Sequence, residues 1–137
     1  MLKIIDASVA IKWFLREEVG SAAAMDLLDE LKNSPSNFAV PELFFNEMLS
    51  VFCKLLTDES VILDYIGILQ ALGWERLGNG REVLKQATHL AKKYQLSGYD
   101  AIYAANAKLT HGLWITADEK AHKKIAGEGY SKLLLGR

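Results

Sequence analysis

The sequence has little of what marks a secreted or membrane-spanning protein. Cys53 is its only cysteine, so no disulfide can form within the chain, and a reducing compartment is expected. No apolar run approaches the roughly 20 residues that a transmembrane helix needs. Asp6 interrupts the first apolar run before it could act as a signal segment. We therefore expect a soluble, cytoplasmic protein with no membrane association.

An excess of positive charge is also missing. The chain has 16 basic and 17 acidic residues, for a net charge of −1. This balance gives no basic surface of the kind that drives tight, sequence-independent binding to nucleic acids. If the substrate is a nucleic acid, metal ions or local basic groups must supply the positive charge. Lys12 and Arg16 share a face of a predicted helix near Asp6, although a solvated face is the commoner meaning of such a pair.

Length and hydrophobic pattern predict one α/β domain covering residues 1–137. Half of the residues are apolar, which excludes a disordered chain. Short apolar runs predict strands, and 3.6-residue periodicity between them predicts helices. The predicted strands cover residues 2–5, 38–40, 74–77, 113–116 and 131–135. Strands separated by helices indicate a parallel sheet of four to five strands with helices on both faces.

Three aspartates stand where such a sheet would bind a ligand, at or near the carboxyl ends of its strands. Asp6 follows the first strand, Asp118 follows the fourth, and Asp100 begins the predicted helix over residues 99–110. Each aspartate also suits a helix N-cap, which is worth about 1 kcal/mol. For any one of them, cap and functional group are equally good interpretations.

Glu47 is harder to explain by local structure. Its neighbours three and four residues away include Leu43, Phe44 and Val51, so it shares a predicted helix face with bulky apolar side chains. A buried carboxylate without compensation would have a raised pKa and become neutral. The alternative is that Glu47 lies at the edge of the apolar stripe and reaches water.

A divalent cation would account for the four carboxylates together. Mg²⁺ and Mn²⁺ prefer hard oxygen ligands, and carboxylates that converge on one crevice would repel each other without a cation. Such an ion can orient water for in-line attack and neutralise charge that develops on a phosphodiester. The sequence predicts a metal site at Asp6, Glu47, Asp100 and Asp118.

Four segments of the chain resemble the successive signatures of PIN-domain nucleases. They are residues 4–8 (IIDAS), 40–47 (VPELFFNE), 99–105 (YDAIYAA) and 115–118 (ITAD). Their order and spacing most resemble the toxin ribonucleases of bacterial and archaeal toxin–antitoxin pairs, the VapC-like proteins. The resemblance covers nearly the whole chain.

The resemblance implies a three-layer α/β/α fold and Mg²⁺- or Mn²⁺-dependent cleavage of RNA that leaves 5′-phosphate and 3′-hydroxyl ends. Its acidic positions correspond to Asp6, Glu47, Asp100 and Asp118 as catalytic and metal-binding residues. Glu47 is either a metal ligand or the group that orients the attacking water. The resemblance also implies a protein antitoxin that covers the acidic crevice with an arginine or a similar cation, and a homodimer.

The hydroxyls in these motifs correspond to Ser8 and Thr116. They are candidates for supporting the metal ligands or contacting phosphate, and ordinary turn hydrogen bonds explain them equally well. Some similar proteins carry a further acid just after the fourth aspartate. Glu119 is the only nearby candidate here, so a second metal site is left open.

Two other functions remain open. The first is a PIN-like domain that binds RNA or a protein partner without cleaving it. The second is a phosphohydrolase on a similar sheet, but Asp-x-Asp chemistry requires a second carboxylate where this chain has Ser8. Neither a Walker loop nor a dinucleotide-binding glycine motif is present.

Other reactive or aromatic residues receive structural interpretations. The three histidines have no zinc-ligand spacing. Cys53, in an apolar helix, is expected to be a small core residue rather than a nucleophile. Trp13, Trp74 and Trp114 are expected in the core or an interface rather than in a base-stacking platform, because they occur on separate elements.

Overall fold

A computed structural model describes residues 1–15 and 19–134 of the chain, so Arg16 and Leu135 lie outside the described residues. Every predicted strand is present within one or two residues of its expected ends. The strands are β1 (Lys3–Ile5), β2 (Phe38–Pro41), β3 (Glu75–Leu77), β4 (Leu113–Thr116) and β5 (Ser131–Leu133). The α-helices in the described residues are α1 (Ala7–Phe14), α2 (Ser21–Asn33), α3 (Leu43–Leu55), α4 (Glu59–Gln70), α5 (Arg81–Tyr94), α6 (Gly98–Thr110) and α7 (Glu119–Ile125).

The strands form a parallel sheet in the order β3-β2-β1-β4-β5, which confirms the predicted α/β architecture. After β1 the chain builds outward on one side through β2 and β3, and it then continues on the other side through β4 and β5. The strand order therefore reverses between β1 and β4, where open α/β sheets form a crevice at their carboxyl ends. Asp6 and Asp118 follow these two strands.

Burial explains why β1, β2 and β4 occupy the middle of the sheet. Ile4, Ile5, Phe38 and Val40 are fully buried, as is usual in parallel strands that helices cover on both faces. The outer strands contain fewer apolar residues, and the first two residues of β3 are exposed. The hydrophobic run in each strand thus matches its position in the sheet.

Gly112 brings β4 against β1. The amide of Leu113 donates to the carbonyl of Leu2 at 2.8 Å. A Cβ atom on Gly112 would stand 2.6 Å from that same carbonyl oxygen, so only glycine permits this close approach. The residue therefore helps to place the two strands that lead to Asp6 and Asp118 side by side.

An aromatic cluster joins α1, α3 and α4 to the chain just before β3. Its ring contacts include Trp13 with Trp74 at 5.9 Å and Phe44 with Trp74 at 5.2 Å. We use the name aromatic cluster for Trp13, Phe14, Phe44, Phe52, Tyr65 and Trp74. The indole N–H groups of Trp13 and Trp74 donate to the backbone carbonyls of Ala24 and Leu69. The cluster is a packing unit without a carboxylate partner for either indole.

The expectation for Cys53 is wrong, because this side chain is exposed. Phe52 takes the buried position on α3, and the next residue is rotated by about 100° around a helix. The apolar neighbours in the sequence therefore do not place Cys53 in the core. None of the helices in the described ranges combines the length and apolarity needed to cross a bilayer.

Candidate functional site

Asp6 stands at the end of β1 and is held from several directions. Its side chain accepts hydrogen bonds from the amide of Ser8 at 2.9 Å and from the indole N–H of Trp114 at 3.0 Å. It is the N-cap of α1, so the local interpretation as a cap is right. It is also buried, and burial raises the pKa of its carboxyl above the ordinary value, while the bonds from Ser8 and Trp114 oppose that rise.

Asp118 lies at the opposite side of the same crevice, after β4, and it caps α7. Its carboxylate accepts the amide of Ala121 at 3.0 Å and is exposed. Burial and, to a smaller extent, the charge of Asp118 raise the pKa of Asp6, so the charge of the second cap reaches the first across the β1–β4 junction. They are therefore not unrelated helix caps.

Ser8 and Thr116 link the two strand ends. The Ser8 hydroxyl accepts the amide of Ala117 at 2.9 Å, and the Thr116 hydroxyl accepts the amide of Asp118 at 3.0 Å. The two hydroxyl oxygens lie 3.3 Å apart. The Thr116 bond is a turn hydrogen bond, whereas the Ser8 bond joins residues far apart in the sequence and ties the start of α1 to the segment that carries Asp118.

Asp100 lies in the first turn of α6 but does not cap it. The cap is Ser97, whose hydroxyl accepts the amide of Asp100 at 3.1 Å. Burial raises the pKa of the Asp100 carboxyl to about 6, and the charges of Asp6 and Asp118 add to the rise. A hydrogen bond with the Ser97 side chain and the charge of Lys124 lower it.

Glu47 reaches the site from the middle of α3. It is half-buried, and its carboxylate accepts the phenolic hydroxyl of Tyr103 at 2.8 Å. Burial raises the pKa of Glu47 to about 7 against the lowering effect of the Tyr103 bond, and the charges of Asp6 and Asp100 add to the rise. Both sequence interpretations were partly right, since Glu47 lies at the edge of the apolar stripe and is still substantially desolvated.

Tyr103 and Trp114 are the site residues to which sequence reasoning gave no role. Both are fully buried, and their rings stack with centroids 5.9 Å apart. Trp114 donates to Asp6, and Tyr103 donates to Glu47, so the stacked pair holds two carboxylates of the site at once. Burial and the neighbouring carboxylates raise the pKa of Tyr103 well above its ordinary value, so it stays a neutral donor.

A signal for these two aromatics existed in the spacing. Tyr103 follows Asp100 by three residues, which places both on one side of α6. Trp114 and Thr116 alternate along β4 and therefore share one face of the sheet. The stacking contact between α6 and β4 could not be read from either spacing.

The electrostatic pattern ties the four acids into one group. Asp6 is affected by Asp118, Asp100 by Asp6 and Asp118, and Glu47 by Asp6 and Asp100. Each of these influences is repulsive and favours the protonated form of the carboxyl. A cation bound in the crevice would offset this repulsion between the carboxylates.

The donor set suits a hard divalent cation, since it contains only carboxylate oxygens. In residues 1–15 and 19–134, no three His, Cys, Asp or Glu side chains are already close enough to hold a metal ion directly. Mg²⁺ usually keeps several waters and takes only one or two protein carboxylates. The four residues therefore fit an ion that is held partly through water.

Glu119, the candidate for a further metal ligand, is turned to a different partner. Its carboxylate pairs with Lys123 at 3.0 Å, four residues along α7.

The sequence and the fold are both similar to those of known proteins. The model of the PIN domain family matches residues 3–128, which is most of the chain. No curated protein matches the sequence. A structure described as a toxin–antitoxin complex from Klebsiella pneumoniae is similar, with a TM-score of 0.74 and 19% identity, over 98% of this chain and 99% of that one.

A crystal structure of a protein from Pyrobaculum aerophilum is also similar. It has a TM-score of 0.67 and 19% identity, over 90% of this chain and 79% of that chain. At such low identity, both likenesses concern the fold.

Proposed function

The chain belongs to the PIN-domain family, and we propose that it is a metal-dependent endoribonuclease, the toxin of a toxin–antitoxin pair. PIN domains are generally nucleases, which supports hydrolysis of a phosphodiester. One observation carries the proposal: four carboxylates from distant parts of the chain meet at the switch point of the sheet, where burial and the charges of neighbouring acids raise the pKa values of Asp6, Glu47 and Asp100.

We assign the metal to Asp6, Asp100 and Asp118, with Glu47 as a further ligand or the group that orients the attacking water. A bound Mg²⁺ or Mn²⁺ ion would activate water, polarise the phosphodiester and neutralise the charge that develops on it. Asp6 is the best-fixed of these residues, because Ser8 and Trp114 hold both of its oxygens. Ser8 and Thr116 hold the Asp118 segment in place, which is the supporting role we propose for them.

Glu47 has the properties of a base that works near neutral pH. Its pKa of about 7 makes it able to take up a proton from water that attacks phosphorus. Tyr103 fixes one oxygen of Glu47, so the other oxygen is left for water or a cation. Attack at phosphorus with departure of the 3′ oxygen would leave 5′-phosphate and 3′-hydroxyl ends.

Membership of the family does not specify the substrate or the partner. We propose that the substrate is RNA and that the partner is an antitoxin protein. The fold likeness to a toxin–antitoxin complex supports a partner protein. An antitoxin that placed an arginine in the acidic crevice would replace the cation and block access to the phosphodiester. We further propose a cytoplasmic homodimer. Co-purification with the product of a short neighbouring reading frame would test the partnership.

The decisive experiment measures cleavage of single-stranded RNA with and without Mg²⁺ or Mn²⁺. We expect cleavage that EDTA abolishes, products with 5′-phosphate ends, and loss of activity in Asp100→Asn with an unchanged circular dichroism spectrum. Asp58→Asn is a matched control, since Asp58 is also an aspartate near the start of a helix and caps α4 through Ser60.

The outcomes separate the classes of function. Cleavage that survives in Asp100→Asn would refute the assigned site. RNA binding without cleavage by the unaltered chain at any metal concentration would favour the binding domain. Equal loss of activity in Asp58→Asn would show that the effect comes from folding rather than from the acidic group.

A further inference from the structure

A cavity beside Glu47 is left unexplained by metal-dependent hydrolysis. Its volume is about 520 Å³, which is in the range of ligand pockets. It lies between α3, the segment before α5 and the first turn of α6. Its polar and aromatic lining consists of Glu42, Asn46, Glu47, Ser50, Asn79 and Tyr99. Glu47 lines this cavity and is also one of the four acids of the crevice, so the two adjoin at this residue.

Tyr99 gives the cavity an exposed aromatic wall. It immediately precedes Asp100 and is 64% exposed. Among the described residues, its ring contacts no other aromatic ring and its hydroxyl has no hydrogen-bond partner. The same ring borders a second, mostly apolar groove between α5 and α6. Tyr99 therefore stands free in solution beside the proposed reaction centre.

The polar lining offers hydrogen bonds that the protein itself does not use. Asn46 and Ser50 are four residues apart on α3, so both face the cavity, and Asn79 faces it from the loop before α5. Within the described ranges, none of these three side chains has a hydrogen-bond partner in the protein. Amides and hydroxyls of this kind recognise the edge of an unpaired base.

Charge decides which part of a nucleotide the cavity can hold. Glu42 and Glu47 both line it, and none of the described residues that line it is a lysine or an arginine. A phosphate group there would be repelled, whereas the N–H groups of a base can donate to the carboxylates. We therefore expect the cavity to bind a base. The phosphates would bind outside the cavity, at the cation that the four acids hold.

We propose that this cavity is a nucleobase subsite, in which Tyr99 stacks on one unpaired base of single-stranded RNA next to the cleaved phosphodiester. The proposal rests on the nuclease function above and specifies how its substrate is positioned. Stacking on an aromatic side chain is worth about 1–3 kcal/mol per base, which corresponds to roughly 5- to 150-fold in affinity.

The test uses a fluorescent single-stranded RNA of about 10 nucleotides, within the span of known single-strand sites. Binding is measured by anisotropy with Mg²⁺ on Asp118→Asn, to slow cleavage, with and without changes at Tyr99. We expect Tyr99→Ala to weaken binding by roughly 5- to 150-fold and Tyr99→Phe by less than about 2-fold, because phenylalanine keeps the ring face. Leu109→Ala is the control, since Leu109 is an exposed apolar residue on the same helix outside the cavity.

Abasic substitutions along the RNA identify the stacked base. In the Asp118→Asn chain, removal of one particular base should weaken binding by the same factor as Tyr99→Ala. In the chain that also carries Tyr99→Ala, removal of that base should have no further effect. Asn79→Ala should change which base is preferred at that position, as read by sequencing of cleavage sites made by the otherwise unaltered chain.

The proposal is overturned if Tyr99→Ala binds RNA as tightly as its parent, or if every abasic penalty is the same in both chains. It is also overturned if Tyr99→Ala weakens only binding of a protein partner. These results are distinct from failure of the nuclease proposal. If the unaltered chain binds RNA through Tyr99 but never cleaves it, the subsite stands and the nuclease function is refuted.

Discussion

Two groups of aromatic side chains in this protein contain buried tryptophans whose N–H groups have different partners. In the aromatic cluster, Trp13 and Trp74 donate their N–H groups to backbone carbonyls. Beneath the acidic crevice, Trp114 donates to the carboxylate of Asp6, and Tyr103, stacked on it, donates to Glu47. The comparison shows that burial of a tryptophan does not reveal its role, whereas the acceptor of its N–H group does.

The two regions also differ in what they contribute to stability. The aromatic cluster buries large apolar surfaces, which stabilises the fold. The acidic crevice brings like charges together and partly desolvates them, which lowers stability until a cation or proton relieves it. Sites of this kind exchange stability for function. Substitutions in the two regions should therefore separate effects on stability from effects on cleavage.

The largest effect is expected from Asp6→Asn. The amide keeps the size of the side chain but removes a charge that the proposed cation needs, so RNA cleavage should fall by about 100-fold or more. The metal-free protein should lose the repulsion from Asp118 together with one of the two hydrogen bonds from Ser8 and Trp114, because an amide nitrogen cannot accept, so its melting temperature should change by only a few degrees. Cleavage kinetics and a melting curve in EDTA measure the two effects. A large loss of stability together with activity would place Asp6 in the structural framework instead.

Trp114→Phe should have the next largest effect on cleavage, about 10- to 100-fold, because Asp6 loses one of its fixed donors. Trp13→Phe is the matched control, in which a backbone carbonyl loses its donor. Both substitutions should lower the free energy of unfolding by about 1–3 kcal/mol. Only the first should change cleavage after correction for the folded fraction. Equal losses of activity would remove the distinction between the two aromatic groups.

Tyr103→Phe should change the pH dependence of cleavage more than its maximum. The hydroxyl stabilises the charged form of Glu47, so its removal should raise the pKa of Glu47 further above about 7. The rising limb of the pH–rate profile should therefore move to higher pH. At neutral pH the rate should fall by about 10-fold. Tyr65→Phe, in the aromatic cluster, should leave the profile in place, and a profile unmoved by Tyr103→Phe would contradict a working role for Glu47.

The smallest effect concerns stability as a function of pH in EDTA. Burial raises the folded-state pKa values of Glu47 and Asp100 to about 7 and about 6, above their ordinary values of 4.5 and 3.8. The folded protein therefore binds more protons than the unfolded chain between these limits, and this contribution to stability is lost as pH rises through about 6 to 7. The melting temperature should fall by a few degrees over this window, with about half the fall in Glu47→Gln.

Mg²⁺ should reverse that fall, since it replaces protons as the partner of the carboxylates. We expect the ion to raise the melting temperature more at roughly pH 8 than at pH 5, because protonation competes with metal binding. A metal effect that is independent of pH would argue against binding at these carboxylates.

Much of this architecture could be predicted from the sequence because its signals are local. Apolar strand runs such as residues 2–5 and 113–116 are interrupted by clear turns, and Asp6 and Asp118 directly follow strands. Periodicity likewise predicts the helix that carries Glu47. The resemblance to PIN-domain nucleases, which the family match confirms, assigned the four acidic positions to one common site.

The remaining features depend on contacts between distant elements. Stacking of Tyr103 on Trp114 joins a helix to a strand, and neither residue differs locally from an ordinary core aromatic. Exposure of Cys53 depends on which face of α3 packs inward, and apolar neighbours in the sequence do not determine it. The cavity at Tyr99 and Asn79 arises where three separate segments meet.

The most direct test of the central claim is a crystal structure of the protein grown with Mn²⁺, with anomalous scattering used to locate the ion. We expect an anomalous peak in the crevice between the carboxyl ends of β1 and β4, from an ion bound by Asp6, Asp100 or Asp118 directly or through water. The peak should disappear in Asp100→Asn crystals grown in the same conditions. An empty crevice at saturating Mn²⁺, or an ion bound only elsewhere on the molecule, would contradict it.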